Sequence, residues 1–196
     1  LDDAVGESCD KVARVLGLGY PGGPIVDKMY YLGDRNFLQI TEPKVGEYDF
    51  SFSGIKTAVI NFVNKMNMKN EEFRKEDLAA SFLGKVVDIL CKKTLKAAKD
   101  KNVKTIILAG GVAANSLLRS QLTEQGAKLG IKVYYPSMKL CTDNAAMIAE
   151  AAYYKLKCTD NKADCFAGLE LNGVATLDVT KDLYKKIRKK SKVPEG

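Results

Sequence analysis

Residues 140–152, LCTDNAAMIAEAA, set a single carboxylate, Asp143, at the start of an alanine-rich run. Two chemistries are open to it. A side-chain oxygen can cap a helix by accepting an orphan backbone N–H of the first turn, or it can act as a hard oxygen ligand. Ala145, Ala146, Met147, Ile148, Ala149, Ala151 and Ala152 are apolar nearly all round, so a buried helix is expected with Asp143 as its cap. The chain has no histidine, which removes the commonest transition-metal partner. Elsewhere Asp3, Glu7 and Asp10 fall at i, i+4 and i+7, a carboxylate stripe along one helix face. Asp27 follows the glycine-proline stretch YPGGP, whose backbone lets a flat ligand come close. In VKTIILAGGVAAN, Gly110 and Gly111 sit between an apolar run and Asn115. Such a turn exposes N–H groups that can cradle a phosphate, and it also serves tight strand–helix packing. Asn115 is either a cap or a ligand contact.

The elements that must position these groups alternate. Val5, Cys9, Val12 and Leu16 make an apolar helical stripe capped by Asp2 or Asp3 and stopped at Gly17, with a loop after it. Tyr48, Phe50 and Phe52 alternate with polar residues as a strand does, and Ile55, Val59 and Phe62 then change to helical spacing. Leu78, Phe82, Val86, Leu90 and Leu95 mark a long helix. Residues 103–109 read as a short buried strand, Asn115 onward as a helix, and IKVYYP as a further strand. This is an α/β pattern with a largely parallel sheet, and ligands of such sheets lie at the carboxyl ends of the strands. Beyond residue 157 the pattern weakens to loop with a short strand or two.

Composition bounds the rest. The 196 residues, 46% hydrophobic and 28% charged, suit one substantial core. No apolar run approaches the ~20 residues that span a bilayer, the acidic start is unlike a signal peptide, and a cytoplasmic location is expected. Cys9, Cys91, Cys141, Cys158 and Cys165 are an odd set without C-x-x-C, so reduced, mostly buried thiols are expected. The net charge of +7 is uneven: residues 181–196 hold seven basic and two acidic side chains, and the rest of the chain is at +2. We therefore divide the chain into an α/β lobe over 1–180 and a basic tail over 181–196.

Four stretches, LDDAVGESCDKVARVLGLGYPGGP, DFSFSGIKTAV, ILAGGVAAN and CTDNAAMIA, resemble in order and wording the TsaD family of tRNA threonylcarbamoyladenosine transferases, with YPGGP and DFSFSG like its bacterial branch. The resemblance implies an acetate-sugar kinase/heat-shock/actin type fold, two α/β lobes around a nucleotide cleft. It implies transfer of a threonylcarbamoyl group from its adenylate to the exocyclic amine of an adenosine beside the tRNA anticodon. By match to the family motifs, Asp10, Gly23, Asp27 and Asn115 bind the adenylate, Gly110 and Gly111 line its phosphate side, and Asp143 ligates a divalent metal, iron in the intact enzyme. It implies tRNA and TsaB-like and TsaE-like proteins as partners.

The departures matter too. The family's H-x-x-x-H motif, which gives the other metal ligands, is missing, so this chain is expected to be a C-terminal part, inactive alone and poor in metal. Ala145 stands where the family usually has glycine, and Cys9 where an aromatic is usual. A sugar kinase or actin-like ATPase is the alternative within the fold, and a non-catalytic half-enzyme that binds nucleotide or protein is another. YPGGP with DFSFSG separates the family from the kinases. The metallopeptidase label once attached to the family finds no H-E-x-x-H here.

Overall fold

Val5, Cys9, Val12 and Leu16 recur at helical spacing. In a computed structural model, which describes residues 3–162, they face the core from α1 (Val5–Val15) and its C-cap Leu16. Gly17, at φ 66, ends the helix as expected. The other end differs from the expected aspartate cap. Ala4 is the N-cap, and Asp3 pairs instead with Lys11 and Lys56.

The stretch expected as a glycine-proline loop opens a second helix, α2 (Gly22–Tyr30). Pro24 is tolerated there because N–H groups in the first turn have no helical acceptor. Residues 48–52 correct the expectation of a strand. Phe50 and Phe52 do share one side, stacked with centroids 5.9 Å apart, but among the described residues no strand pairs with them. Lys93 takes that place, donating to the carbonyls of Gly46 (2.9 Å) and Asp49. Phe52 is buried and becomes the N-cap of α3 (Ser53–Lys69).

The long helix α4 (Lys75–Asp100) is the axis of the core. Leu78, Phe82, Val86 and Leu95 are buried and Leu90 is half-buried, as the periodicity predicts. Residues 77–84 are buried all round because α1, α2 and α3 pack on this helix, with α5 (Ser116–Lys128) as a further neighbour. Enclosing a side chain such as Phe82 contributes roughly 1.5–3 kcal/mol.

The strands β1 (Thr105–Ile107) and β2 (Lys132–Tyr134) pair in parallel, Ile106 opposite Val133, with α5 as the crossover between them. The sheet is shorter than expected and one-faced: Ile106 is buried, whereas Thr105 and Ile107 are exposed. Short 3-10 turns, Gly111–Ala114 and Met138–Leu140, follow the two strands.

The described residues fall into two compact units that divide between Thr142 and Asp143. The second contains α6 (Ala145–Cys158), and here the expectation of a buried helix fails. None of its residues is buried. Its alanines supply helix propensity, which needs no core. Asp143 is also not the cap: Asn144 is, its Oδ1 accepting from Met147 N at 3.2 Å.

Among the described cysteines, Cys9, Cys91 and Cys141 are buried thiols and Cys158 is an exposed one. Cys165 and the basic tail of residues 181–196 lie outside the described residues. No helix of the described residues is long and apolar enough to cross a membrane.

Candidate functional site

The site begins where α1 and α2 touch. Asp10 Oδ1 accepts a hydrogen bond from Gly22 N at 2.7 Å, tying the carboxylate to the first turn of α2. The approach is close enough to require glycine. A Cβ on Gly22 would lie 2.7 Å from Cys9 O and 2.8 Å from both Ala13 Cβ and Asp10 Cα. Next to it, Gly23 has open space where its Cβ would be. The two glycines of YPGGP thus do different jobs: the first packs helices, and the second leaves room.

One turn on, Asp27 reaches the start of α5. Its Oδ1 accepts from Asn115 Nδ2 and from Ser116 Oγ, both at 2.9 Å, and its Oδ2 accepts from Ser116 N at 3.0 Å. Asn115 is the N-cap, with Oδ1 accepting from Leu118 N at 2.8 Å. Two orphan N–H groups of the first turn are therefore satisfied, one by the cap and one by a carboxylate from another helix. The negative charge also suits the positive end of the helix. Tyr31 OH meets Ser116 Oγ at 2.9 Å. Because Ser116 spends its one hydroxyl proton on Asp27, Tyr31 is the donor.

Gly110 and Gly111 stand beside this network, at the carboxyl end of β1. Gly110 has φ 84 and ψ 177, a conformation open to glycine almost alone, and it starts the 3-10 turn that ends at Asn115. A Cβ on either glycine would meet nothing within 4 Å. Their surfaces are exposed, so the turn has an open face.

Cys9 reports the electrostatics at the helix contact. Burial first, and then the carboxylates of Asp10 and Asp27, push its thiol up to about 12. It is a protonated core thiol, with no nucleophilic role at neutral pH.

Asp143 belongs to the second unit and is exposed. Among the described residues no group of three or more histidine, cysteine, aspartate or glutamate side chains could hold a metal ion. A lone exposed carboxylate is too few donors for a transition metal, so the described residues do not by themselves fit one.

The structure thus brings Asp27 to Asn115 and Asp10 to the turn before Gly23. Sequence reasoning missed Ser116, Tyr31 and Lys56. Ser116 had a readable signal, a hydroxyl directly after an N-cap asparagine. Lys56 had none, because its partner Asp3 lies 53 residues away.

Fold and site together define an α/β domain with a glycine turn and a carboxylate-bound helix start at the carboxyl ends of parallel strands. The chain belongs to the TsaD family: the profile described as tRNA N6-adenosine threonylcarbamoyltransferase matches residues 1–150. Three similar proteins carry that same name. One from Fusobacterium nucleatum is 80% identical over 180 residues, 92% of this chain and 53% of the relative. One from Thermosipho africanus is 57% identical over 155 residues, 78% of this chain and 46% of the relative. One from Clostridium novyi is 50% identical over 182 residues, 90% of this chain and 51% of the relative. The chain spans about half the length of the curated relatives it matches.

Proposed function

We propose that this chain is the adenylate-holding part of a tRNA-modifying transferase, one that moves a threonylcarbamoyl group from its adenylate to the N6 amine of an adenosine beside the anticodon. The observation that carries the reading is the Asp27–Asn115–Ser116 network at the glycine turn, in a chain of the TsaD family. In this reading the α/β unit is one lobe of an acetate-sugar kinase/heat-shock/actin type fold. The protein works in the cytoplasm on tRNA, with TsaB-like and TsaE-like proteins as partners.

Each residue has a task that its chemistry suits. Asp10 uses one oxygen on Gly22 N and offers the other to a ribose hydroxyl. Asn115 spends one amide hydrogen on Asp27 and keeps the second for the ligand. Asp27 keeps that amide in place and completes the ribose side. Gly23 leaves room for the flat base, and the Gly110–Gly111 backbone faces the phosphate, where a small turn gives close approach. Asp143 contributes one carboxylate to a metal whose other ligands the described residues do not supply, and no step is assigned to that metal.

Titration calorimetry with ATP tests the assignment. The 196-residue chain is expected to bind, and the Asp10→Ala, Asn115→Ala double variant to bind much more weakly. Equal binding by folded samples of both would remove the site. Binding accompanied by steady release of phosphate would favour an ATPase instead.

A further inference from the structure

Arg119 lies one turn into α5 and reaches both loops that follow the strands. Its Nε donates to the carbonyl of Ala113, inside the 3-10 turn after β1. Its Nη2 donates to Pro136 O at 2.9 Å and contacts Cys141 Sγ at 3.1 Å, both in the segment after β2. The guanidinium also lies over the Tyr135 ring, 4.5 Å from its centroid. The strands give these loops little help: register ends at Ile107 opposite Tyr134, and Leu108 N to Tyr134 O, 2.8 Å, is the last backbone bond between them among the described residues. One side chain replaces the missing ladder.

Its charge is also available. Among the described residues no carboxylate forms an ion pair with Arg119, whose partners are the two carbonyls, the Cys141 sulfur and the Tyr135 ring. A planar fork presents Nε and Nη2 as separate donors in fixed directions, one to each loop, an arrangement that the single rotatable ammonium of a lysine does not reproduce.

We propose that Arg119 is a positioning residue for phosphate-bearing ligands: it fixes the spacing between the turn at Gly110–Ala114 and the segment from Pro136 to Cys141. This rests on the nucleotide reading above. The guanidinium need not touch the ligand. It holds the turn's N–H groups in the arrangement that a phosphate meets, and a preorganised donor set costs nothing to assemble on binding. Because the clamp acts on the phosphate side, adenosine alone gains nothing from it.

The test compares ATP and adenosine by titration calorimetry, using the unaltered chain, Arg119→Lys and Arg119→Gln, with amide hydrogen exchange on each. Loss of charge-assisted hydrogen bonds predicts ATP affinity lower by ~10-fold or more in both variants and unchanged adenosine affinity. Exchange should rise at residues 113–115 and 141 while α4 stays protected. Recovery of ATP affinity in Arg119→Lys would overturn the clamp and leave only a charge effect. Equal loss for adenosine and ATP would also overturn it, as a general structural defect. Should either variant not fold, the unaltered chain still decides: exchange at 113–115 and 141 at free-loop rates refutes the clamp. An unaltered chain that binds neither ligand refutes the nucleotide reading and this role with it, whereas equal ATP binding by all three proteins refutes the role of Arg119 alone.

Discussion

Asn115 Nδ2 donates to Asp27 Oδ1 across 2.9 Å, joining two residues 88 positions apart in the chain. The contact makes one unit of two sequence motifs, YPGGPIVD and AGGVAAN. The carboxylate orients the amide, and the amide caps the helix. A ligand contact at Asn115 is therefore only as well placed as Asp27 allows.

Replacing Asp27 with alanine should cost both stability and binding. It removes the acceptor of Ser116 N, Ser116 Oγ and Asn115 Nδ2 together. The expected loss is about 1–3 kcal/mol, the range for charge-assisted bonds and lost helix caps. Asp27→Asn keeps the shape and only part of the acceptor capacity, so it should fall between. Urea unfolding of the three proteins measures the order, and an unchanged midpoint in Asp27→Ala would show that the network holds nothing.

The neighbouring glycines should respond in opposite ways. Gly22→Ala drives a Cβ into Cys9 O, Ala13 and Asp10, and overpacking of this kind costs about 1–3 kcal/mol. Gly23→Ala meets open space inside a helix, where the same change is worth about 0.4–1 kcal/mol of stabilisation. The Gly23 variant should nonetheless bind ATP less well, since its new methyl occupies the space left for the base. Thermal unfolding alongside ATP titration separates the two. A stable Gly23→Ala with full affinity would place the ligand elsewhere.

How much of this could be read from the sequence depends on range. Helical periodicity gave α1 and α4 because i to i+4 neighbours share a face, and Gly17 marked its own stop. The alternation at Tyr48, Phe50 and Phe52 is equally regular, yet a strand needs a partner with a ladder, and among the described residues none pairs there, while Lys93 donates to the carbonyls of Gly46 and Asp49. The candidate site divides along the same line. The motifs named Asp10, Asp27 and Asn115, while the bond between Asp27 and Ser116 spans 89 positions and has no local signature. Residue type suits Asp143 to capping as well as to ligation. Asn144 has the same capability one position nearer the helix, and it takes the role.

Acid should loosen the joint between α1 and α3. Hydrogen bonds from Lys56 and then Lys11 hold the Asp3 carboxyl below its ordinary value of 3.8. A folded-state value lower than the unfolded one adds stability above the unfolded value, and that stability disappears as pH falls through the folded one. Asp3→Asn should therefore be less stable than the unaltered chain near pH 7, with the difference shrinking to nothing in strong acid. On the alkaline side, Lys11, raised to about 12 by Glu7 and then Asp3, keeps its full contribution below its ordinary value of 10.5 and loses it as pH rises from there through about 12. Urea midpoints of both proteins across pH provide the check. A gap that persists in strong acid would mean that the ion pairs are not its source.

The last prediction separates Asp143 from its neighbour. Asn144 accepts from Met147 N and has extended backbone, as an N-cap does, so Asn144→Ala should shorten or fray α6 and cost about 1 kcal/mol of helix stability. Asp143 makes no cap bond. Its removal should cost no more than a weak charge–dipole term, about 0.3–1 kcal/mol at low ionic strength and less in salt. Circular dichroism at low and high salt distinguishes these: Asn144→Ala loses helix under both conditions, and Asp143→Ala loses little at low salt and nothing at high. That leaves the Asp143 carboxylate spare for a ligand, which is what the family resemblance asks of it. Mixing the chain with the remaining half of a TsaD-family protein and measuring bound metal supplies the complementary readout. Metal uptake by the mixture that Asp143→Ala abolishes, and Asn144→Ala merely weakens, is the expected result; uptake indifferent to Asp143→Ala would leave this aspartate without a metal role.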